Sequence, residues 1–214
     1  MIDLNLLFNN GNSKYYFLKI LKTFKYIEDK ELGKLKEFVD AFSYNQFKSK
    51  AWLINKLKDL NIFEDNLNAT VLACWFGNIL FPCLLDNGVK KIYGYDLDMF
   101  AIKTSNFLFD YEKNVKAITS DIWTKKPKYL DDTNLIINTS CEHMPPMKDW
   151  EYYKEGIYVF QSTNVTHDQD HLTCVDSIED FENQMHSMLD IIWSGENDIE
   201  HIDNGKRFMI VGRM

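Results

Sequence analysis

The sequence predicts an α/β fold, a seven-stranded and mostly parallel sheet that closes in an antiparallel hairpin and follows a helical segment. Three observations predict it. Apolar residues before Asn68 recur at helical spacing. After Asn68, short apolar runs alternate with turn signals and helices, as βαβ units require. The last two strand-like runs have no helix between them, and strands joined without a crossover are antiparallel neighbours.

In the lead-in, Phe17, Ile20, Leu21 and Phe24, then Leu35, Phe38, Val39 and Phe42, then Trp52, Leu53 and Leu57 form apolar helix faces. Gly33 and the polar cluster from Ser43 to Asn45 predict the interruptions. Thr70 to Cys74 reads as the first strand, with a helix from Gly77 and Asn78 to the stop signal Asn87-Gly88. Lys91 to Tyr95 is the second strand, followed by a helix from Met99 to about Phe109. Val115 to Thr119, Asn134 to Asn138 and Ile157 to Gln161 are the next three strands. Ser177 to His186 reads as a helix, and Met188 to Trp193 and Lys206 to Val211 as the closing strands. Ser194, Gly195, Asn204 and Gly205 are the expected breaks between them. A length of 214 residues suits one domain, with residues 1–68 as helical lead-in and 69–214 as the sheet-bearing core.

Composition narrows the function classes. The net charge of −8 gives no general attraction to a phosphate backbone, so nucleic acid is disfavoured as a partner. Lys48, Lys50, Lys56 and Lys58 are the nearest approach to a basic patch and read as the solvated face of a helix. The apolar patch Leu4 to Phe8 lacks the features of a secretory signal, and no segment has the length of a membrane span. Cys74, Cys83, Cys141 and Cys174 form no CxxC pair, so reduced thiols in an intracellular protein are expected.

Open α/β sheets bind ligands outside the carboxyl ends of their strands, so each strand end is a candidate. After the first strand, Ala73-Cys74-Trp75-Phe76-Gly77-Asn78 leads into a helix, and Gly77 lets backbone approach a ligand. Asp96, followed by Leu97, stands about twenty residues on, where an acid accepts from the two hydroxyls of a ribose. Asp98 is placed to cap the next helix. After the third strand, Asp121 can accept from an adenine amino group, with Ile122 and its apolar neighbours flanking the ring.

The succession Val71 to Asn78, Tyr93 to Asp98 and Thr119 to Ile122 resembles the cofactor motifs of class I S-adenosylmethionine-dependent methyltransferases. The segment Ile136 to Met144 and the ending Lys206 to Gly212 look like an uncharacterised, often bacteriophage-encoded branch of these proteins. The resemblance spans roughly the last three quarters of the chain. It implies a Rossmann-like core and S-adenosylmethionine as cofactor, with the methionine tail around Cys74, Trp75 and Gly77, the ribose on Asp96 and the adenine on Asp121. It also implies a cytoplasmic enzyme, in the host cytoplasm if phage-encoded. The chain departs from the family in its first motif, where Cys74-Trp75-Phe76 replaces an acid and several glycines. The Asn/Asp-Pro-Pro-aromatic motif of base-modifying methyltransferases is missing at the fourth strand, since Pro145-Pro146 follows Met144.

The fourth strand instead delivers Asn138, Thr139, Ser140, Cys141, Glu142 and His143. Glu142 or His143 can remove a proton from an acceptor that Asn138 orients; the competing reading is a hydrogen-bonded turn. Cys141, Gln161, Asn164 and His171 are expected to line the place of a small-molecule acceptor. His167 and His171 have i,i+4 spacing near Cys174, but Asp168-Gln169-Asp170 reads as loop and no metal is predicted. Transfer of methyl is the leading expectation. The alternatives are aminocarboxypropyl transfer of the nicotianamine-synthase type and a binding module without catalysis.

Overall fold

The structure is a computed structural model that describes residues 13–64, 66–166 and 169–214. The patch Leu4 to Phe8 and the side chain of His167 lie outside the described residues. Seven strands form one sheet in the order β3-β2-β1-β4-β5-β7-β6. They are β1 (Asn68–Leu72), β2 (Lys91–Asp96), β3 (Val115–Thr119), β4 (Leu135–Asn138), β5 (Ile157–Thr163), β6 (Asp190–Asp198) and β7 (Lys206–Arg213). The pairs β1·β4, β2·β3 and β4·β5 are parallel, whereas β5·β7 and β6·β7 are antiparallel. The closing hairpin is therefore as the sequence predicts. No helix among the described residues is long and apolar enough to cross a membrane.

The described residues divide into two compact units, one within 1–68 together with 75–119 and the other 69–74 together with those of 120–214. The first holds the lead-in helices α1 (Ser13–Glu31), α2 (Leu35–Asp40) and α3 (Tyr44–Asp59) together with α4 (Leu80–Asp86) and α5 (Met99–Leu108). Gly33 falls in a 3-10 turn between α1 and α2, and Ser43 precedes α3, so both expected interruptions occur. Aromatic contacts hold this unit: Phe38 meets Phe76 edge to face at 5.1 Å, and Tyr26 stacks on Phe107 at 4.5 Å. Such pairs add about 0.5–1.5 kcal/mol each beyond the area they bury. Lys19 is buried, bonded to Asp110 at 2.8 Å and lying over the Phe107 ring. The basic stripe on α3 is engaged locally, with Lys50 on Gln46 and Lys56 on Asp59.

Two strands depart from expectation for local reasons. β1 stops at Leu72 instead of Cys74 because Ala73 (φ 49°) and Trp75 (φ 49°) turn the backbone left-handed. β6 runs through Ser194 and Gly195, where a break was expected. The Trp193 ring lies where a Gly195 Cβ would be, at 2.6 Å, so this glycine serves a close approach within a strand. α4 ends as predicted at Asn87, with Gly88 N–H donating to Leu85 O and Val89 N–H to Leu84 O. The second unit also carries α6 (Ile178–Met185), capped by Ser177, which accepts from Asp180 N–H. Its core is the unbroken burial of β4 and β5 against Phe208 to Val211 of β7.

Gly77 combines φ +62° with a Phe81 ring 2.4 Å from the position of a Cβ. Gly77→Ala is expected to lose about 1–3 kcal/mol through backbone strain and overpacking. Urea denaturation checks this, and adding Phe81→Leu, which opens the space but leaves φ unchanged, should recover part of the loss.

Candidate functional site

In the first unit, the end of β2 and the turn after β1 are tied together by one carboxylate. Asp96 Oδ2 accepts from the Trp75 N–H at 2.7 Å, and Oδ1 accepts from the Asp98 N–H at 2.9 Å. Burial raises the Asp96 pKa above the ordinary aspartate value, against the lowering effect of the Asp98, Trp75 and Leu97 amides. A carboxylate has about four lone-pair sites. With the Asp98, Trp75 and Leu97 amides directed at it, Asp96 keeps acceptor capacity for a further donor such as a hydroxyl. Asp98 caps α5 by accepting from Phe100 and Ala101 N–H. Leu97 and Met99 beside it are 70% and 57% exposed, an apolar surface next to the acid.

The turn itself is unusual in its residues. Ala73, Trp75 and Gly77 are all left-handed, yet only the last is glycine. Left-handed non-glycine residues cost of order 1 kcal/mol or more and persist where their surroundings hold them. Trp75 packs with Phe76 against the cluster of Ile27, Phe38 and Ala101, which supplies that hold. Gly77 is explained by the Phe81 ring beneath it, so its lack of a side chain follows from packing. Cys74 is buried.

In the second unit, Asp121 Oδ1 accepts from the Trp123 N–H at 2.9 Å. That bond lowers its pKa, helped by Thr124 and opposed by slight desolvation. Ile122 is buried, and its carbonyl accepts from Trp150 Nε1 at 3.0 Å. After β4 the chain makes a 3-10 turn over Cys141–His143. Asn138 is fully buried; its Oδ1 accepts from the Ser140 N–H at 2.9 Å and its Nδ2 lies against the sulfurs of Met144 and Met147. Its amide thus shapes the turn. Burial pushes the Cys141 thiol pKa well up, with the Glu142 charge adding to the rise. A thiol so disposed is a poor nucleophile.

Glu142 is 2% exposed, and its Oε1 accepts from Arg207 at 2.6 Å. Sequence reasoning did not single out Arg207, 65 residues away; its one sequence signal is a cation at the head of an apolar strand. His143 is exposed and its ring meets that of His171 edge to face at 4.7 Å. Gln161 lies buried in β5 with Nε2 on the Met209 sulfur. Asn164 donates to Asn204 O and accepts from Lys206 N–H, so it joins the end of β5 to the hairpin. Glu142, His143 and His171 thus come together, while the Gln161 and Asn164 side chains are engaged elsewhere.

No family model matches the chain, and no curated protein matches it. Solved structures do. Magnesium protoporphyrin IX methyltransferase from Synechocystis PCC 6803 with bound SAM aligns at TM-score 0.60 and 10% identity, over 92% of this chain and 97% of that one. A S-adenosylmethionine-dependent methyltransferase from Clostridium acetobutylicum ATCC 824 aligns at 0.58 and 15%, over 87% and 98%. This chain shares the Rossmann-like fold of these two solved proteins. The PH0226 protein from Pyrococcus horikoshii OT3 is similar at 0.58 and 16%, over 81% and 93%. At these identities the likeness is one of architecture.

Removing the guanidinium from the Glu142 pair leaves a charge in the interior. Arg207→Met is expected to destabilise by about 3 kcal/mol, somewhat tempered because the arginine is partly exposed. The double change Glu142→Gln with Arg207→Met should cost clearly less, as chemical denaturation of the two variants will report.

Proposed function

We propose that the protein is an S-adenosylmethionine-dependent methyltransferase acting on a small-molecule acceptor. The observation that carries this is Asp96, an acid at the end of β2 whose two oxygens are anchored by the Trp75 and Asp98 N–H groups and which keeps acceptor capacity for a ribose hydroxyl. It stands in a fold shared with proteins described as methyltransferases, one of them with SAM bound. S-adenosylmethionine supplies an electrophilic methyl group on a sulfonium centre.

The chain's own residues have the following parts. Asp96 accepts from the ribose hydroxyls, and the exposed Leu97 offers an apolar surface to the adenine. Asp121 accepts from the adenine amino group beside Ile122, while Cys74, Trp75 and Gly77 supply backbone to the methionine tail. On the acceptor side, the turn Cys141–His143 presents His143, with His171 beside it, toward the acceptor's proton. Glu142 and Asn138 hold that turn in shape, the first through Arg207 and the second through the Ser140 amide. Gln161 and Asn164 shape the neighbouring strand end. Orientation and proton removal then carry most of the rate gain. The net charge of −8 favours a small acceptor over nucleic acid.

Asp96→Ala should weaken S-adenosylmethionine binding by about 10- to 100-fold, equivalent to about 1–3 kcal/mol, if it removes two hydrogen bonds to buried hydroxyls. Calorimetry on a variant that still melts cooperatively checks this, and unchanged affinity would remove Asp96 from the site.

The raised Asp96 pKa also fixes a pH sign. Protonation removes acceptor capacity, so affinity should fall on acidification at a pH above the ordinary aspartate range. Asp96→Asn should show no such limb in the same calorimetric titration.

A further inference from the structure

The second unit assembles a set of side chains with the chemistry of metal ligands. Glu142, His143 and His171 each offer a donor atom, and these atoms lie within 4.8 Å of one another. We propose that the three residues bind one divalent transition-metal ion, zinc fitting the donor set best.

The orientation of the histidines is the first support. His143 Nδ1 lies 3.1 Å from the Asp170 carbonyl oxygen, and His171 Nδ1 contacts the Val165 carbonyl. A carbonyl only accepts, so each Nδ1 carries the proton and the lone pair of each neutral ring sits on Nε2. Carbonyl-anchored imidazoles of this kind are oriented for ligation. The carboxylate is the second support. Glu142 Oε1 accepts from Arg207, whereas Oε2 is buried with no hydrogen-bond partner among the described residues. An orphaned carboxylate oxygen in the interior is costly, and a cation is the partner that relieves it.

The backbone supplies the third. The Glu142 carbonyl accepts from Leu172 N–H at 2.7 Å and Thr173 N–H at 3.1 Å, and Thr173 Oγ1 donates to Met144 O at 2.6 Å. The segment bearing His171 is thereby pinned to the turn bearing Glu142 and His143. A tetrahedral centre with bonds of about 2.1 Å sets its donors roughly 3.4 Å apart, so the rings need only close around the ion. Cys174 Sγ lies 3.7 Å from His171 Nδ1, beside the protonated nitrogen, and stays outside the ligand set. Two imidazoles and one carboxylate also disfavour magnesium and calcium, which take oxygen ligands.

Three protein ligands leave a position open, and with the ion bound His143 is a ligand in place of the proton acceptor assigned to it above. Arg207 offsets the Glu142 carboxylate, so the charge of the ion remains to attract an anionic oxygen and to lower the pKa of a hydroxyl bound there. The acceptor class that follows is a small molecule presenting a hydroxyl or carboxylate oxygen. Only this use of the ion rests on the methyltransferase reading; its binding does not.

The experiment uses the full chain without an affinity tag, stripped with a chelator and titrated with zinc in the absence of S-adenosylmethionine. One equivalent should bind with sub-micromolar affinity. His143→Gln and His171→Ala should each weaken binding by about 100-fold or more, since even outer-shell changes cost 10- to 100-fold. His143 is exposed, so His143→Gln keeps the test decisive if the half-buried His171 does not tolerate change. Cobalt in place of zinc should give the visible spectrum of a nitrogen- and oxygen-ligated four-coordinate centre. No binding, affinity unchanged in His143→Gln, or a thiolate-to-cobalt charge-transfer band would overturn the proposal. Asp96→Ala should leave zinc affinity as it is, so failure of the cofactor reading and failure of the metal site are told apart.

Discussion

A parallel strand buried on both faces can carry polar chemistry only where it stops. β4 is buried at every position from Leu135 to Asn138, and β5 at every position from Ile157 to Thr163. Both are paired on either side, so their backbone groups are spent on the sheet. Polar side chains inside such strands find partners only in the interior, as Gln161 does with the Met209 sulfur, or go without one among the described residues, as Ser162 Oγ does. The titratable groups are accordingly displaced to the turn after β4, where Glu142 and His143 stand. Asp96 likewise stands at the last residue of β2, although that strand is only partly buried.

Within that constraint the two halves of the candidate chemistry are held differently. Asp96 is fixed by backbone amides, which bring no counter-charge, and its burial leaves it easier to protonate than an ordinary aspartate. Glu142 is fixed by a guanidinium in the interior, a pairing that is demanding to form and damaging to break on one side. One arrangement suits an acceptor of hydrogen bonds, the other a charge kept in place.

The turn after β1 shows how a fold keeps a backbone path with different side chains. Left-handed residues at Ala73 and Trp75 would ordinarily favour glycine. Here Trp75 and Phe76 join the aromatic cluster of the lead-in helices, and packing holds a conformation that local preference disfavours. The lead-in thus contributes to the geometry of the turn as well as covering apolar surface.

The sequence by itself determined the order of elements and the closing hairpin, because periodicity and turn residues such as Asn87-Gly88 act over a few neighbours. It also placed Asp96, Asp121 and Glu142 at strand ends. Asp98 was legible as a cap because capping is local. Tertiary structure alone decided that Asn138 and Asn164 spend their amides internally, and that β6 continues through Gly195 beneath the Trp193 ring. It alone brought Arg207 to Glu142 and set His143 against His171. Those pairings join residues far apart in the chain, and no local spacing encodes which distant side chain a buried charge will meet.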